Sequence, residues 1–99
     1  MKPITVVVEI EIFPDFIEPF TREMERFAAI VLASEPCEKF ELLHDAHHPT
    51  RFCTLERWLD RDYFETKHAQ TPHVQNLMSV GQTWLSAPPV TRVFESQFE

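Results

Sequence analysis

The chain has 99 residues, 43% hydrophobic and 25% charged, with one glycine and a formal net charge of −7. This describes one compact soluble domain over residues 1–99; a chain so short buries only about two thirds of its unfolded surface, so a second copy that covers more apolar surface stabilises it. The acidic balance excludes nucleic acid and anionic membrane surfaces as expected partners. No stretch nears the roughly 20 apolar residues of a bilayer span and no cleavable leader is read at the N-terminus, so the expected location is cytoplasmic.

Ile4, Val6, Val8, Ile10 and Ile12 alternate with Thr5, Glu9 and Glu11, which predicts a first strand with one apolar face. Pro14-Asp15 breaks the alternation, and Phe16, Phe20, Met24, Phe27, Ala28 and Val31 recur at helical spacing. Asp15 and Glu18 resemble a capping box, but Pro19 lacks a donor, so the helix is expected to begin near Glu18 with Pro19 at its first position. Pro36 ends that region. Cys37–His44 and Arg51–Leu59 predict a hairpin around the turn-rich segment from Asp45 to Thr50.

Asp60 or Asp62 is placed to cap a short helix through His68. Thr71-Pro72 then reads as a cap and first position of a further helix to about Leu85, with Val74, Leu77, Met78 and Gly81 facing inward. Ala87-Pro88-Pro89 breaks it before a last strand, Val90–Phe98. The order β-α-β-β-α-β predicts an α+β, ferredoxin-like fold: a four-stranded antiparallel sheet with helices on one face. Val7, Leu43, Leu55 and Val93 make the other face apolar enough to want a partner, and a symmetric homodimer supplies one.

Pairing His44 with Phe52 in the hairpin sets Leu42 opposite Thr54, Phe40 opposite Glu56, and Glu38 opposite Trp58. Acids and a histidine beside Phe and Trp suit a pocket wall, because a buried carboxylate without a partner is costly. The alternative is that Glu56 pairs with Arg22 or Arg92 and only fixes the fold. The same register sets Cys37 opposite Leu59 and Cys53 opposite Leu43, which rules out a disulfide between the two cysteines. They match no zinc or redox spacing.

His68 and His73 lie close enough to share one mouth of a pocket, where a neutral imidazole can take a proton from a phenol, quinol or enol; each can equally be a satisfied structural histidine. His47 and His48, beside His44, fall in a turn without zinc spacing and read as solvated. Gly81 alone cannot form a dinucleotide loop. No metal and no cofactor are therefore expected. Phe40, Trp58, Phe64 and Met78 could line an apolar cavity for a planar small molecule or simply fill the core, and His44 is a further candidate substrate contact.

The segment from Asp45 to Trp58, with its Asp, Pro49, Arg51-Phe52 and Glu56-x-Trp58, resembles the second hairpin of the antibiotic-biosynthesis-monooxygenase superfamily. His68-Ala69-Gln70-Thr71-Pro72-His73 is similar to that family's His-x-x-Ser/Thr-Pro-His segment. The chain departs in having Pro36-Cys37 where a Gly-Cys pair is usual, and in one extra residue between Trp58 and His68. The resemblance implies a dimeric α+β barrel with a pocket between sheet and helices in each subunit. It implies cofactor-independent monooxygenation of a small quinol, phenol or polyketide-like aromatic, with His68 as base, Glu56 or His73 orienting it, and Phe40 and Trp58 holding the ring. Haem breakdown fits less well, since Glu9 and Glu11 stand where the haem-degrading branch carries an Asn. The same base would serve an isomerase or lyase acting on an enolisable phosphosugar such as an autoinducer. A non-catalytic ligand-binding dimer is a third reading, and fold alone does not choose.

Overall fold

The computed structural model describes residues 2–98. Strand β1 (Ile4–Glu11), helix α1 (Ile17–Ser34), strands β2 (Cys37–His44) and β3 (Arg51–Trp58), helices α2 (Arg61–Thr66) and α3 (Pro72–Gly81) and strand β4 (Val90–Phe94) follow in order. The strands form one antiparallel sheet in the order β2-β3-β1-β4, so the fold is ferredoxin-like, with the helices on one face. Among the described residues no helix is long and apolar enough to cross a membrane.

The period-two pattern of β1 sets the inner face of the sheet. Ile4, Val6 and Ile12 are buried there, beside Phe52, Thr54, Glu56 and Trp58 of β3. Across it lies the stripe Phe20, Met24, Phe27 and Val31 of α1, whose burial contributes about 1.5–3 kcal/mol per side chain. Helix α1 begins at Ile17, after a single 3-10 turn at Pro14–Phe16, and no side chain caps it. Pro19 is its third residue rather than its first, still in the first turn, where a missing N–H costs nothing.

The expected hairpin register holds for His44 with Phe52, Leu42 with Thr54, Phe40 with Glu56 and Leu43 with Cys53. It fails at the far end, where a β-bulge at Glu38 sets Cys37, not Glu38, opposite Trp58 and takes it from Leu59. Glu38 is turned outward, 3.5 Å from Arg57, and Cys37 goes into the core. Both cysteines are free thiols.

Three predicted ends are shorter in the structure. Asp60 caps α2 by accepting from the Tyr63 N–H, but the helix stops at Thr66 and His68 opens a separate 3-10 turn, His68–Gln70. Thr71 caps α3 as expected, yet the helix ends at Gly81. Trp84 and Leu85 continue its apolar rhythm but fold back on the sheet: Leu85 bridges to Ile12, and the Phe13 N–H donates to the Trp84 carbonyl at 2.9 Å. The last strand ends at Phe94 rather than Phe98. All five residues of β4 are exposed. Leu43 is 41% accessible on the outer sheet face, but Val93, expected there, pairs with buried Val6 and so belongs to the inner face; Val90 and Phe94, opposite Glu9 and Thr5, take the outer side instead.

Candidate functional site

A cavity of about 730 Å³ opens between the inner face of the sheet and the helices. Val8 and Ile10 of β1 form its floor, Phe20, Met24 and Phe27 of α1 one side, and Phe64, Val74, Leu77, Met78, Trp84 and Leu85 the rest. Among the described residues only Glu56 and His68 bring ionisable side chains to this wall, with no lysine or arginine. Apolar walls with a few convergent polar groups are the usual form of a small-molecule site.

Helix α2 stops at Thr66, and after Lys67 His68 opens the 3-10 turn, with its ring lining the cavity. The imidazole lies 4.5 Å from the Trp58 ring and stacks on Phe64 at 5.6 Å with an interplanar angle of 19°. Its Nδ1 is 2.9 Å from Oε1 of Glu35, and the Tyr63 hydroxyl donates to the same oxygen at 3.0 Å. The second carboxylate oxygen of Glu35 takes Nε2 of His73 at 2.5 Å.

The local sequence explains how Glu35 comes to stand there. Pro36 disfavours helical backbone in the residue before it, and Glu35 takes φ −127° and ψ 161°, ending α1, with its side chain held by Tyr63, His68 and His73. The side chain is 1% exposed and sits at the negative end of the α1 dipole, two costs that its three donors offset. Burial by itself would raise the Glu35 carboxyl, but the hydrogen bonds from His73 and His68 outweigh it and hold the group below the usual carboxylate range. Burial, then the Glu35 contact, pushes the Tyr63 hydroxyl upward, so it stays a donor.

Glu56 behaves in the opposite way. Burial pushes its carboxyl above the usual range; donation from Thr54 Oγ1 at 2.6 Å and Trp58 Nε1 at 2.8 Å offsets this only in part. Two carboxyls whose surroundings drive them apart, one held below and one pushed above the usual carboxylate range, lie near one imidazole, an arrangement suited to acid–base work. Thr54, Gln75 and Gln82 also line the cavity as neutral polar groups.

The sequence-predicted residues are thus partly gathered and partly not. His68, Glu56, Phe64 and Met78 line the cavity, Met78 at the rim with 62% exposure rather than facing inward. His73 lies behind the wall on Glu35. Trp58, fully buried, stands behind His68 and Glu56, and Phe40 packs edge-on to Phe27 at 5.6 Å; neither forms the lining. His44 is elsewhere: exposed at the other end of the hairpin, it stacks on Phe52 and meets the Pro49 carbonyl at 2.8 Å. The expected arginine partners of Glu56 are engaged on the surface, Arg22 with Glu18 and Arg92 with Glu9. Orientation of His68, expected from Glu56 or His73, comes from Glu35, which sequence reasoning passed over. Its one signal is an acid wedged between a helix and a proline. Among the described residues no three His, Cys, Asp or Glu side chains are grouped to hold a metal ion.

Residues 3–79 match the antibiotic biosynthesis monooxygenase family. No curated protein matches the chain in sequence. Among solved structures, Rv0793 from Mycobacterium tuberculosis superposes with a TM-score of 0.88 at 19% identity, covering 99% of this chain and 98% of that one. PA3566 from Pseudomonas aeruginosa gives 0.85 at 23% identity over 97% and 95%. A Nitrosomonas europaea protein provisionally described as an antibiotic biosynthesis monooxygenase gives 0.89 at 19% identity over 97% and 91%. At these identities the likeness establishes the fold.

Proposed function

The chain belongs to the antibiotic biosynthesis monooxygenase family, and from that membership and the cavity we propose a cofactor-independent monooxygenase acting on a small quinol, phenol or polyketide-like aromatic, with His68 as base. The observation that carries the reading is an imidazole on a mostly apolar wall, with its Nδ1 tied to a buried carboxylate. The substrate hydroxyl gives its proton to Nε2 of His68. The electron-rich anion then reduces O₂: a ring carbon bonds one oxygen atom, the O–O bond breaks, and the second oxygen leaves as water. For a quinol the balance is quinol plus O₂ to hydroxyquinone plus water, with all four electrons drawn from the ring.

The apolar walls supply a dry site and hold a planar ring in one orientation, which lowers the barrier without a resident redox group. A phosphosugar is disfavoured because the wall has no cation to meet its phosphate. The outer sheet face, with Leu43, Val90 and Phe94 exposed, fits a homodimer partner.

Oxygen uptake with a panel of quinols and polycyclic phenols tests the reading. With ¹⁸O₂, one labelled atom is expected in product and one in water, and His68→Ala is expected to lower kcat by about two to four orders of magnitude. Turnover that proceeds without oxygen would point to the isomerase or lyase reading. Ligand binding with no turnover would leave a binding dimer.

A further inference from the structure

An ionised carboxylate only accepts hydrogen bonds, so every side chain that touches one must bring the proton. Glu35 is held ionised, is 1% exposed, and is touched by side chains of three elements: Tyr63 of α2, His68 of the 3-10 turn and His73 of α3. The two imidazoles present different atoms, Nδ1 from His68 and Nε2 from His73. We propose that Glu35 is a positioning residue that sets opposite tautomers in its two histidines, with the proton of neutral His68 on Nδ1 and that of neutral His73 on Nε2.

The consequence falls on the cavity. With Nδ1–H committed to Glu35, the Nε2 of His68 is left as a bare acceptor on a ring that lines the cavity and is clamped between Trp58 and Phe64. When Nε2 takes a proton, the imidazolium forms beside an anion that His73 and Tyr63 continue to hydrogen-bond, so no group has to move. The tautomers follow from these contacts and the ionised Glu35; their value to turnover rests on the reading of His68 as base.

Replacing Glu35 with glutamine separates the two demands. An amide has one acceptor oxygen and one donor nitrogen, so it can serve His68 and Tyr63 or His73, but not all three. At least one imidazole must then reverse its tautomer. Glu35→Asp keeps an anion, and Tyr63→Phe removes a donor without changing the acceptor; both are expected to preserve the pattern.

The test is a two-bond ¹H–¹⁵N correlation spectrum of the histidine-labelled full chain at about pH 8.5, above the usual histidine range, with signals assigned from His68→Gln and His73→Gln. The expected result is a protonated Nδ1 and bare Nε2 for His68, the reverse for His73, and inversion of at least one in E35Q. A wild-type His68 protonated on Nε2 overturns the proposal even if E35Q fails to fold, as does an E35Q spectrum with both tautomers unchanged. With 1,4-naphthalenediol as the probe in oxygen uptake, E35Q is expected to lower kcat by about 10²–10⁴-fold with KM little changed. Full kcat in E35Q would refute the positioning role. If instead the tautomers behave as stated and no quinol is oxygenated, the monooxygenase reading falls and the Glu35 assignment stands.

Discussion

Replacing Glu56 with glutamine should stabilise the protein at alkaline pH and do nothing at acid pH. Burial raises the Glu56 carboxyl in the folded chain, so its contribution is fully present below the ordinary glutamate value and is lost as pH rises through the folded value. Above that point the fold carries a buried anion, answered by one hydroxyl and one indole N–H and no cation. Glutamine fits the same two partners. Its oxygen keeps the Trp58 bond, and its amide donates to Thr54 Oγ1, a hydroxyl that can rotate to accept. The gain at pH 8.5 is expected to be about 1–2 kcal/mol, the low end of the cost of a poorly compensated buried polar group, since the cavity mouth admits some water. That corresponds to roughly 4–16 °C in Tm for a domain of this size. Urea unfolding of both proteins from pH 4 to 9, at one protomer concentration so that any dimer linkage cancels, reads the difference directly. E56Q less stable by the same amount at every pH would show that the ionised carboxylate is what Thr54 and Trp58 require, and the argument from burial would be wrong.

Glu35 works with the opposite sign: its lowered carboxyl contributes stability above the ordinary glutamate value that is lost as pH falls through the folded one, so E35Q should be closest to wild type in acid-unfolding scans below pH 4. Trp58→Ala removes a fully buried indole and should cost about 3–5 kcal/mol in chemical unfolding, while Trp58→Phe, which loses mainly the bond to Glu56, should cost about 1–3 kcal/mol. The Cys37 thiol, pushed up to about 11 by burial, should stay unreactive to a disulfide reagent at pH 8 until the chain unfolds. Light scattering at micromolar concentration should give twice the 11.7 kDa chain mass, and a monomer mass there would refute the dimer reading of the outer face.

Most of the fold was legible because it is written in local periods. The alternation from Ile4 to Ile12, the stripe from Phe20 to Val31 and the cap Thr71-Pro72 each reappear within a residue or two of where their spacing sets them. Two of the misplacements share one cause, a local pattern overruled by a distant partner. Trp84 and Leu85 keep helical rhythm past Gly81, yet pairing with the end of β1 satisfies their backbone and ends the helix. Glu38 fits an alternating strand, yet a bulge at the start of β2 ejects it so that Cys37 can fill the space opposite Trp58.

The candidate site follows the same division. His68 and Glu56 could be named because family spacing and hairpin register point to them. Glu35 could not, since its three partners lie 28 to 38 positions away and come together only after α2, the 3-10 turn and α3 fold back over the end of α1. What the sequence does carry is the condition for that meeting: the Glu-Pro step. Without Pro36, Glu35 could remain helical and point along the α1 surface, where an acid at a helix C-terminus is disfavoured. With it, the residue is held extended at the one place where both histidines can reach it. Pro36→Ala should therefore loosen the His68 and His73 contacts while leaving the sheet intact, visible as faster amide exchange in 61–81 with β1 and β3 unchanged. Equal loss of protection in all of them would mean that the proline supports the whole domain rather than the site.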